Sequence, residues 1–392
     1  MRRPVRIYLD YNATSPPLPE VVETMTRVLA ADFGNASSVH AFGQRAKATV
    51  DEARRDVAAL IDADPGEVVF TGGGTEADNM ALRGAAEALE PLGRRHAITT
   101  AIEHEAVLNT LKSISRQGWT VTSLPVGETG IVAPDALRAA LTPETSLVSV
   151  MHANNEVGTI QPVAELATIA REHGAIFHTD AVQSLGKIPV SVRRLGVDLL
   201  ALSAHKFGGP KGIGALWIRR GVRLSPVMTG GRQERNRRAG TENVPAIAGL
   251  GVAARIAREK LAHASDALVE LRDRLEHGIV ANVPGANVNG DVARRVPNTT
   301  NISFDGIEAE SLLIALDLEG VAVSTGSACS SGSLEPSHVL KAMGLAHART
   351  RNSLRFSLGP ATTRAEVDFV VEVLPSLVAK LRRLTRPAAA VR

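Results

Sequence analysis

Between residues 67 and 220, short apolar runs alternate with helical patterns, and this alternation limits the architecture more than any other feature of the chain. "EVVFT" (67–71), "HAITT" (96–100), "SLVSVM" (146–151), "AIFHTD" (175–180), "DLLALS" (198–203) and "GALWIRR" (214–220) have the length and composition of buried strands. Helical stretches such as "GGGTEADNMALRGAAEAL" and "VAELATIAREH" (163–173) separate several of them. The expectation is an α/β fold whose mainly parallel sheet is covered by helices. Ligands of such sheets sit at the carboxyl ends of the strands, so polar residues ending these strands are the first functional candidates.

Past about residue 255 the pattern changes. A long helical stretch, 252–280, precedes "NTTNISFDG", a helix "EAESLLIALDLEG" and "VAVST". Near the C-terminus Val367, Val370, Val371, Leu374, Leu377, Val378 and Leu381 share one helical face despite Pro375. Thr363, with Glu366 three residues on, predicts a capping box at its start. These features predict a smaller α+β unit. The expected division is a large domain over 15–258 and a small one combining 1–14 with 259–392.

Composition narrows the function classes. Net charge is +3 and aromatics make up 3%, without a long Lys/Arg block, which argues against a nucleic-acid partner. No apolar run reaches the length of a membrane span or a signal peptide, so no membrane association is expected. One cysteine, Cys329, permits no internal disulfide. A reducing, cytoplasmic location is expected.

Four groups of residues at strand ends hold candidate chemistry. Gly72–Gly73–Gly74–Thr75 joins a strand to a helix, where backbone N–H groups and the helix dipole favour an anion. The run lacks the Gly-Lys-Ser/Thr ending and the G-x-G-x-x-G spacing, which points to one phosphate rather than a nucleotide; a tight turn with an N-cap is the simpler alternative. Asp180 ends an apolar strand and Gln183 follows it; such a carboxylate needs a partner, either a protonated ring nitrogen or the next turn. Ser203, His205 and Lys206 stand between a strand and a glycine-rich turn, and Lys206 is one of only eight lysines. Its amine can form a Schiff base once its pKa is lowered, although most lysines are simply solvated. His104 and Asn155 follow two further strands and suit proton transfer, ring stacking or donation to an oxygen. Phosphate cradle, ring-nitrogen acid, lysine and polar ring neighbour together are what pyridoxal phosphate requires.

The chain resembles the cysteine desulfurases of the NifS/IscS type, class-V members of the fold-type-I pyridoxal-phosphate enzymes. The likeness runs through "YLDYNATSP", "FGNASSVHAFG", "FTGGGTEADN", "HANNEVGTIQP", "HTDAVQSLGK", "SAHKFGGPKGIG", "RRAGTENV", "STGSACSSGSLEPSHVLKAMG" and "LRFSLG". It implies a mainly parallel seven-stranded sheet in a large cofactor-binding domain, with a smaller α+β domain carrying the catalytic cysteine loop, 324–335. By the same resemblance Lys206 holds the cofactor covalently, Asp180 keeps its ring nitrogen protonated, Gln183 bonds the ring oxygen and His104 stacks on the ring. Gly74, Thr75, Ser203 and His205 hold the phosphate, and Thr241 reaches it from the second subunit of a homodimer. Asn155 and Arg355 bind the substrate carboxylate.

The resemblance also explains the lone thiol. Cys329 resembles the nucleophile that takes sulfur from L-cysteine as a persulfide, releasing L-alanine, and passes it to an iron–sulfur scaffold of the NifU/IscU kind. No intrinsic metal site is expected, and Cys329 is at most a transient cluster ligand with that scaffold. "GSACSSGSLEP" is similar to the long-loop group. The ending "LRRLTRPAAAVR" lacks the scaffold-docking tail of housekeeping members, which leans the expectation toward a nitrogenase-associated role. A housekeeping IscS-like desulfurase, and a selenocysteine lyase or aminotransferase on the same fold, remain open.

Overall fold

The computed structural model describes residues 6–326 and 336–385. Its strands are β1 (Ile7–Tyr8), β2 (Val68–Thr71), β3 (His96–Thr100), β4 (Thr120–Leu124), β5 (Thr145–Ser149), β6 (Ile176–Asp180), β7 (Leu199–Ser203), β8 (Gly214–Ile218), β9 (Ala286–Asn289), β10 (Thr299–Phe304), β11 (Val321–Ala322) and β12 (Ser353–Ser357).

Seven of them form one sheet in the order β2-β8-β7-β6-β5-β3-β4. Pairing is parallel from β7 to β4, and β8 alone runs against both neighbours. Two reversals through β8 return β2 to the direction of β7. The carboxyl ends of β2, β3, β5, β6 and β7 therefore open on one edge. All but β4 in this sheet are buried along their whole length or nearly so, which accounts for their unbroken apolar runs.

Helices cover both faces. The helices Gly74–Leu89 and Glu105–Ser115 pack on one, burying Ala81, Val107 and Leu111. The helices Ala41–Leu60 and Val163–Glu172, with the start of Val244–Asn282, cover the other around Val57, Leu166 and Phe177. Burying one such side chain stabilises the fold by about 1.5–3 kcal/mol.

The helix Val244–Asn282 has 39 residues and serves two cores. Ile247 and Leu250 belong to the first; Leu275 and Ile279 belong to a second with Phe304, Phe356 and Leu374. That second core backs the sheet β12-β10-β9. The terminal helix Arg364–Thr385 lays Val367, Val370, Leu374 and Val378 against it. Its capping box is formed: the Glu366 carboxylate accepts the Thr363 N–H at 2.7 Å, and Thr363 Oγ1 accepts the Glu366 N–H at 3.3 Å. No helix among the described residues is long and apolar enough to cross a membrane.

Candidate active site

The strand ends frame a cavity of about 650 Å³. Gly74, Thr75, His104, Asn155, Asp180, Gln183, Ser203, His205, Lys206 and Arg355 all line it. Thr241 does not; it lies on an exposed segment. Cys329 lies outside the described residues.

The anion cradle comes first along the chain. Gly73 adopts φ 152°, a conformation side chains disfavour, and carries the chain from β2 into the helix Gly74–Leu89. That helix begins without a capping side chain, which leaves its first N–H groups and the positive end of its dipole for a ligand. Gly74 is confined as well: a Cβ there would stand 2.8 Å from Val182 Cγ2 and 3.4 Å from Ser203 Cβ. His205 joins this side with Nδ1 3.1 Å from Thr14 Oγ1. Burial first, then Lys206 and Lys211, push its pKa down to about 4, so it meets an anion as a neutral ring.

Three buried carboxyl groups lie below the opposite end. Asp180 accepts the Val182 N–H at 2.8 Å, and burial raises its pKa while His104, that N–H and Lys206 draw it back. Asp78 is held well above the carboxylate range by burial and by its neighbours Asp180 and Glu103. Glu103 accepts from Thr100 Oγ1 at 2.7 Å and from the Met151 N–H at 2.9 Å, and burial still pushes it up to about 8. Burial disfavours charge on all three, and Asp180, the one drawn back down by His104 and Lys206, is the one suited to carry charge toward a protonated ring nitrogen. His104 caps the helix Glu105–Ser115, its Nδ1 accepting the Ala106 N–H at 3.1 Å. In the neutral ring the proton then belongs on Nε2.

Lys206 occupies the single turn after β7. Its Nζ donates to the carbonyl oxygens of Asn12 at 2.7 Å and Ala13 at 2.9 Å. Arg355, on β12, donates to the Asn155 carbonyl at 2.9 Å and to Asp10 Oδ1 at 2.6 Å. Its buried Nε–H has no partner among the described residues, so a carboxylate in the cavity would complete the guanidinium.

Sequence reasoning passed over several contributors. Asn12, Asp10, Asp78, Glu103 and Lys187 stand in or beside the site. Asn12 lies inside the quoted "YLDYNATSP" and Lys187 ends the quoted "HTDAVQSLGK", which were usable signals. Also unforeseen is a tether behind the cradle. Glu76 accepts the Gly72 N–H at 2.7 Å and pairs with Arg238 at 2.8 Å, tying the cradle to the segment that leads to Thr241. Glu234, in the same segment, forms a buried two-point pair with Arg54, both contacts 2.7 Å.

The donor set fits pyridoxal phosphate: an open helix terminus where a Cβ has no room, an acid that His104 and Lys206 draw toward its charged form, and a lysine amine between them. Among the described residues no group of His, Cys, Asp and Glu is placed to hold a metal ion.

Comparison with known proteins agrees with this geometry. The model of the class-V aminotransferase family matches residues 7–370. A cysteine desulfurase of Trichormus azollae is 52% identical, the alignment covering 97% of this chain and 94% of the relative. The cysteine desulfurase IscS of Methanosarcina thermophila is 48% identical over 97% of this chain and 93% of its own. A solved NifS-like protein superposes with a TM-score of 0.91 at 38% identity, over 96% of this chain and 100% of that one.

Proposed function

The chain belongs to the class-V aminotransferase family, and from that premise we propose that it is a pyridoxal-phosphate-dependent cysteine desulfurase. The observation that carries the reading is the convergence of the Lys206 amine, the Asp180 carboxylate and the open helix terminus at Gly74 on one cavity. When bound, pyridoxal phosphate supplies an aldehyde for an amine and a protonated ring that draws electron density from the attached carbon.

The chain's own residues do the rest. The N–H groups at Gly74 and Thr75, with Ser203 and neutral His205, would hold the phosphate. Asp180 would keep the proton on the ring nitrogen, Gln183 would donate to the ring oxygen, and His104 would lie against the ring. Lys206 would anchor the cofactor and then carry protons. Arg355, with Asn155 beside it, orients the substrate carboxylate. The thiolate of Cys329 attacks the sulfur of L-cysteine. The new S–S bond leaves a persulfide on Cys329, the electron pair of the C–S bond stays with carbon, and protonation yields L-alanine.

Thr241 fits as a contribution to the phosphate site of a second copy, which makes the active species a homodimer in the cytoplasm. The persulfide serves iron–sulfur cluster assembly on a scaffold protein. Relatives named IscS support a housekeeping destination as much as a nitrogenase-associated one.

Incubation of the purified chain with pyridoxal phosphate should give a yellow protein whose borohydride-reduced adduct maps to Lys206. L-Cysteine with a thiol reductant should yield alanine and sulfide. Cys329→Ala should keep the colour and lose the sulfide. Full desulfurase activity in that variant, or amino-group exchange with a keto acid as the main reaction, would overturn the reading.

A further inference from the structure

A second lysine lies behind the first. Lys187 is buried, and its Nζ donates to Gln183 Oε1 at 2.6 Å and to Asn12 Oδ1 at 2.8 Å. Gln183 Nε2 in turn donates to the Asn12 backbone carbonyl at 3.0 Å, the same oxygen that accepts from Lys206. The described mechanism gives Lys187 nothing to do.

The network admits one orientation of the glutamine. A side-chain amide can be turned end for end without changing its shape, so its neighbours decide which atom faces where. If Gln183 were flipped, its NH₂ would face the Lys187 donor and its oxygen would face the Asn12 carbonyl. The contact between the two carbonyl oxygens would become repulsive at hydrogen-bond distance, and the Lys187 amine would have to accept where it now donates. Asn12 is itself pinned: Oδ1 also accepts from Asn298 at 3.1 Å, and Nδ2 donates to Thr299 Oγ1 at 2.8 Å and to the Asn155 carbonyl at 3.1 Å. Lys187 is therefore held to its two acceptors by a frame that cannot turn. Burial, then Lys206 and Arg355, press its amine toward the neutral form, and a neutral amine still has two N–H groups for two carbonyl oxygens.

We propose that Lys187 is a positioning residue that fixes the Gln183 amide with its oxygen inward, so that the second Nε2–H faces the cavity and meets the ring oxygen of the cofactor. The inference rests on the functional reading above and adds to it the residue that sets the polarity of this contact. Lysine suits the task because it presents donors to both oxygens; a leucine or methionine would fill the space and leave the Asn12 carbonyl as the amide's only hold.

The test is a pH titration of the visible absorption of bound pyridoxal phosphate in wild type, Lys187→Met, Gln183→Leu and the double variant. An N–H on the ring oxygen favours its deprotonated form, so its loss raises the midpoint. Lys187→Met and Gln183→Leu should each move the midpoint up by about half a unit to one unit, the size of one hydrogen bond. The double variant should move it no further than the larger single change. An unmoved midpoint in Lys187→Met, or a double variant in which the two shifts add, overturns the inference. Lys187→Gln, which keeps an N–H donor, covers the case in which the methionine variant does not fold. It should retain the wild-type midpoint, and a shift as large as that of Gln183→Leu overturns the inference. A wild-type chain that takes up no cofactor overturns the functional reading and the inference together; coloured wild type with an unmoved Lys187→Met overturns the inference alone.

Discussion

The cavity has two walls built in different ways. One is the row of strand ends, where Asp180 and Ser203 close strands of the large sheet and Gly74, His104 and Lys206 follow one by a few residues. The other is made of Asp10, Asn12 and Ala13 near the N-terminus and Arg355 on β12. Asp10 and Arg355 meet across 345 positions of sequence, Asn12 and Lys206 across 194. The first wall takes its geometry from the sheet and its turns. The second is held by hydrogen bonds between remote segments. A change in the first should remove chemistry and leave the fold; a change in the second should alter substrate placement.

Lys206→Ala gives the largest expected effect. It deletes the amine that anchors the cofactor and moves protons, so kcat/KM for L-cysteine should fall by at least about 10³-fold. The melting temperature of the cofactor-free protein should hardly change. Borohydride trapping and a thermal melt check both halves. A large loss of stability would mean that the two bonds from Nζ to residues 12 and 13 brace the walls against each other, and the contrast between them would fail.

The strand-end wall also carries an electrostatic load that the opposite wall lacks. Glu103 is pushed up to about 8 in the folded chain from the 4.5 of an ordinary glutamate, because burial disfavours its charge. Between those values the folded state binds a proton that the unfolded state has released. Stability is therefore fullest below the lower value and is lost as pH rises toward the higher one, by up to about 1.4 kcal/mol per pH unit. Urea denaturation of the cofactor-free protein from pH 7 to pH 8, above the range in which His152, His178 and His205 lose their protons in the unfolded chain, should show the decline. Glu103→Gln, which can still accept from Thr100 and from the Met151 N–H, should flatten it. A profile with the same slope in both proteins would assign the decline to Asp78 and Asp180.

On the second wall, Arg355→Leu should raise KM for L-cysteine by about 10- to 100-fold, the loss of one or two charge-assisted hydrogen bonds. Cofactor affinity should stay within a factor of about two to three of wild type. Asp10→Asn, which weakens the 2.6 Å contact that holds the guanidinium, should move KM in the same direction by less. Equal losses in cofactor affinity and in KM would show that Arg355 serves both walls.

How much of this was legible follows the same division. The strand-end wall could be read because buried parallel strands write themselves as apolar runs and end in polar residues. The six strands expected between 67 and 220 all form, within a residue or two at most ends. The seventh, β4, is an edge strand with the sequence "TVTSL", half exposed and without an apolar run, so periodicity gave no sign of it. Of the second wall only Arg355 was foreseen, and only through the family resemblance. Nothing near Asp10 or Asn12 announces a partner more than a hundred residues away, and a buried lysine such as Lys187 looks like any other until its acceptors are seen. The Arg54–Glu234 pair is hidden in the same way, since Glu234 reaches it with φ 45° from a segment that composition marks only as a loop.

The smallest effect tests the strand-end wall at its tightest point. On propensity alone Gly74→Ala should help, since alanine in a helix is better than glycine by about 1 kcal/mol. Geometry says otherwise. The added Cβ would meet Val182 Cγ2 at 2.8 Å, and a β-branched side chain has little rotamer freedom with which to withdraw. Val182 also donates its N–H to Asp180 at 2.8 Å, so displacing it would turn the carboxylate as well as narrow the cradle. The affinity for pyridoxal phosphate should fall about tenfold, within the cost of overpacking a tight contact. Adding Val182→Ala, which removes the obstructing methyl group, should recover most of that loss, and a fluorescence titration of the three proteins decides it. If Gly74→Ala binds the cofactor as wild type does, the sheet wall yields to a methyl group, and a wall fixed by its strands would no longer contrast with one held by hydrogen bonds.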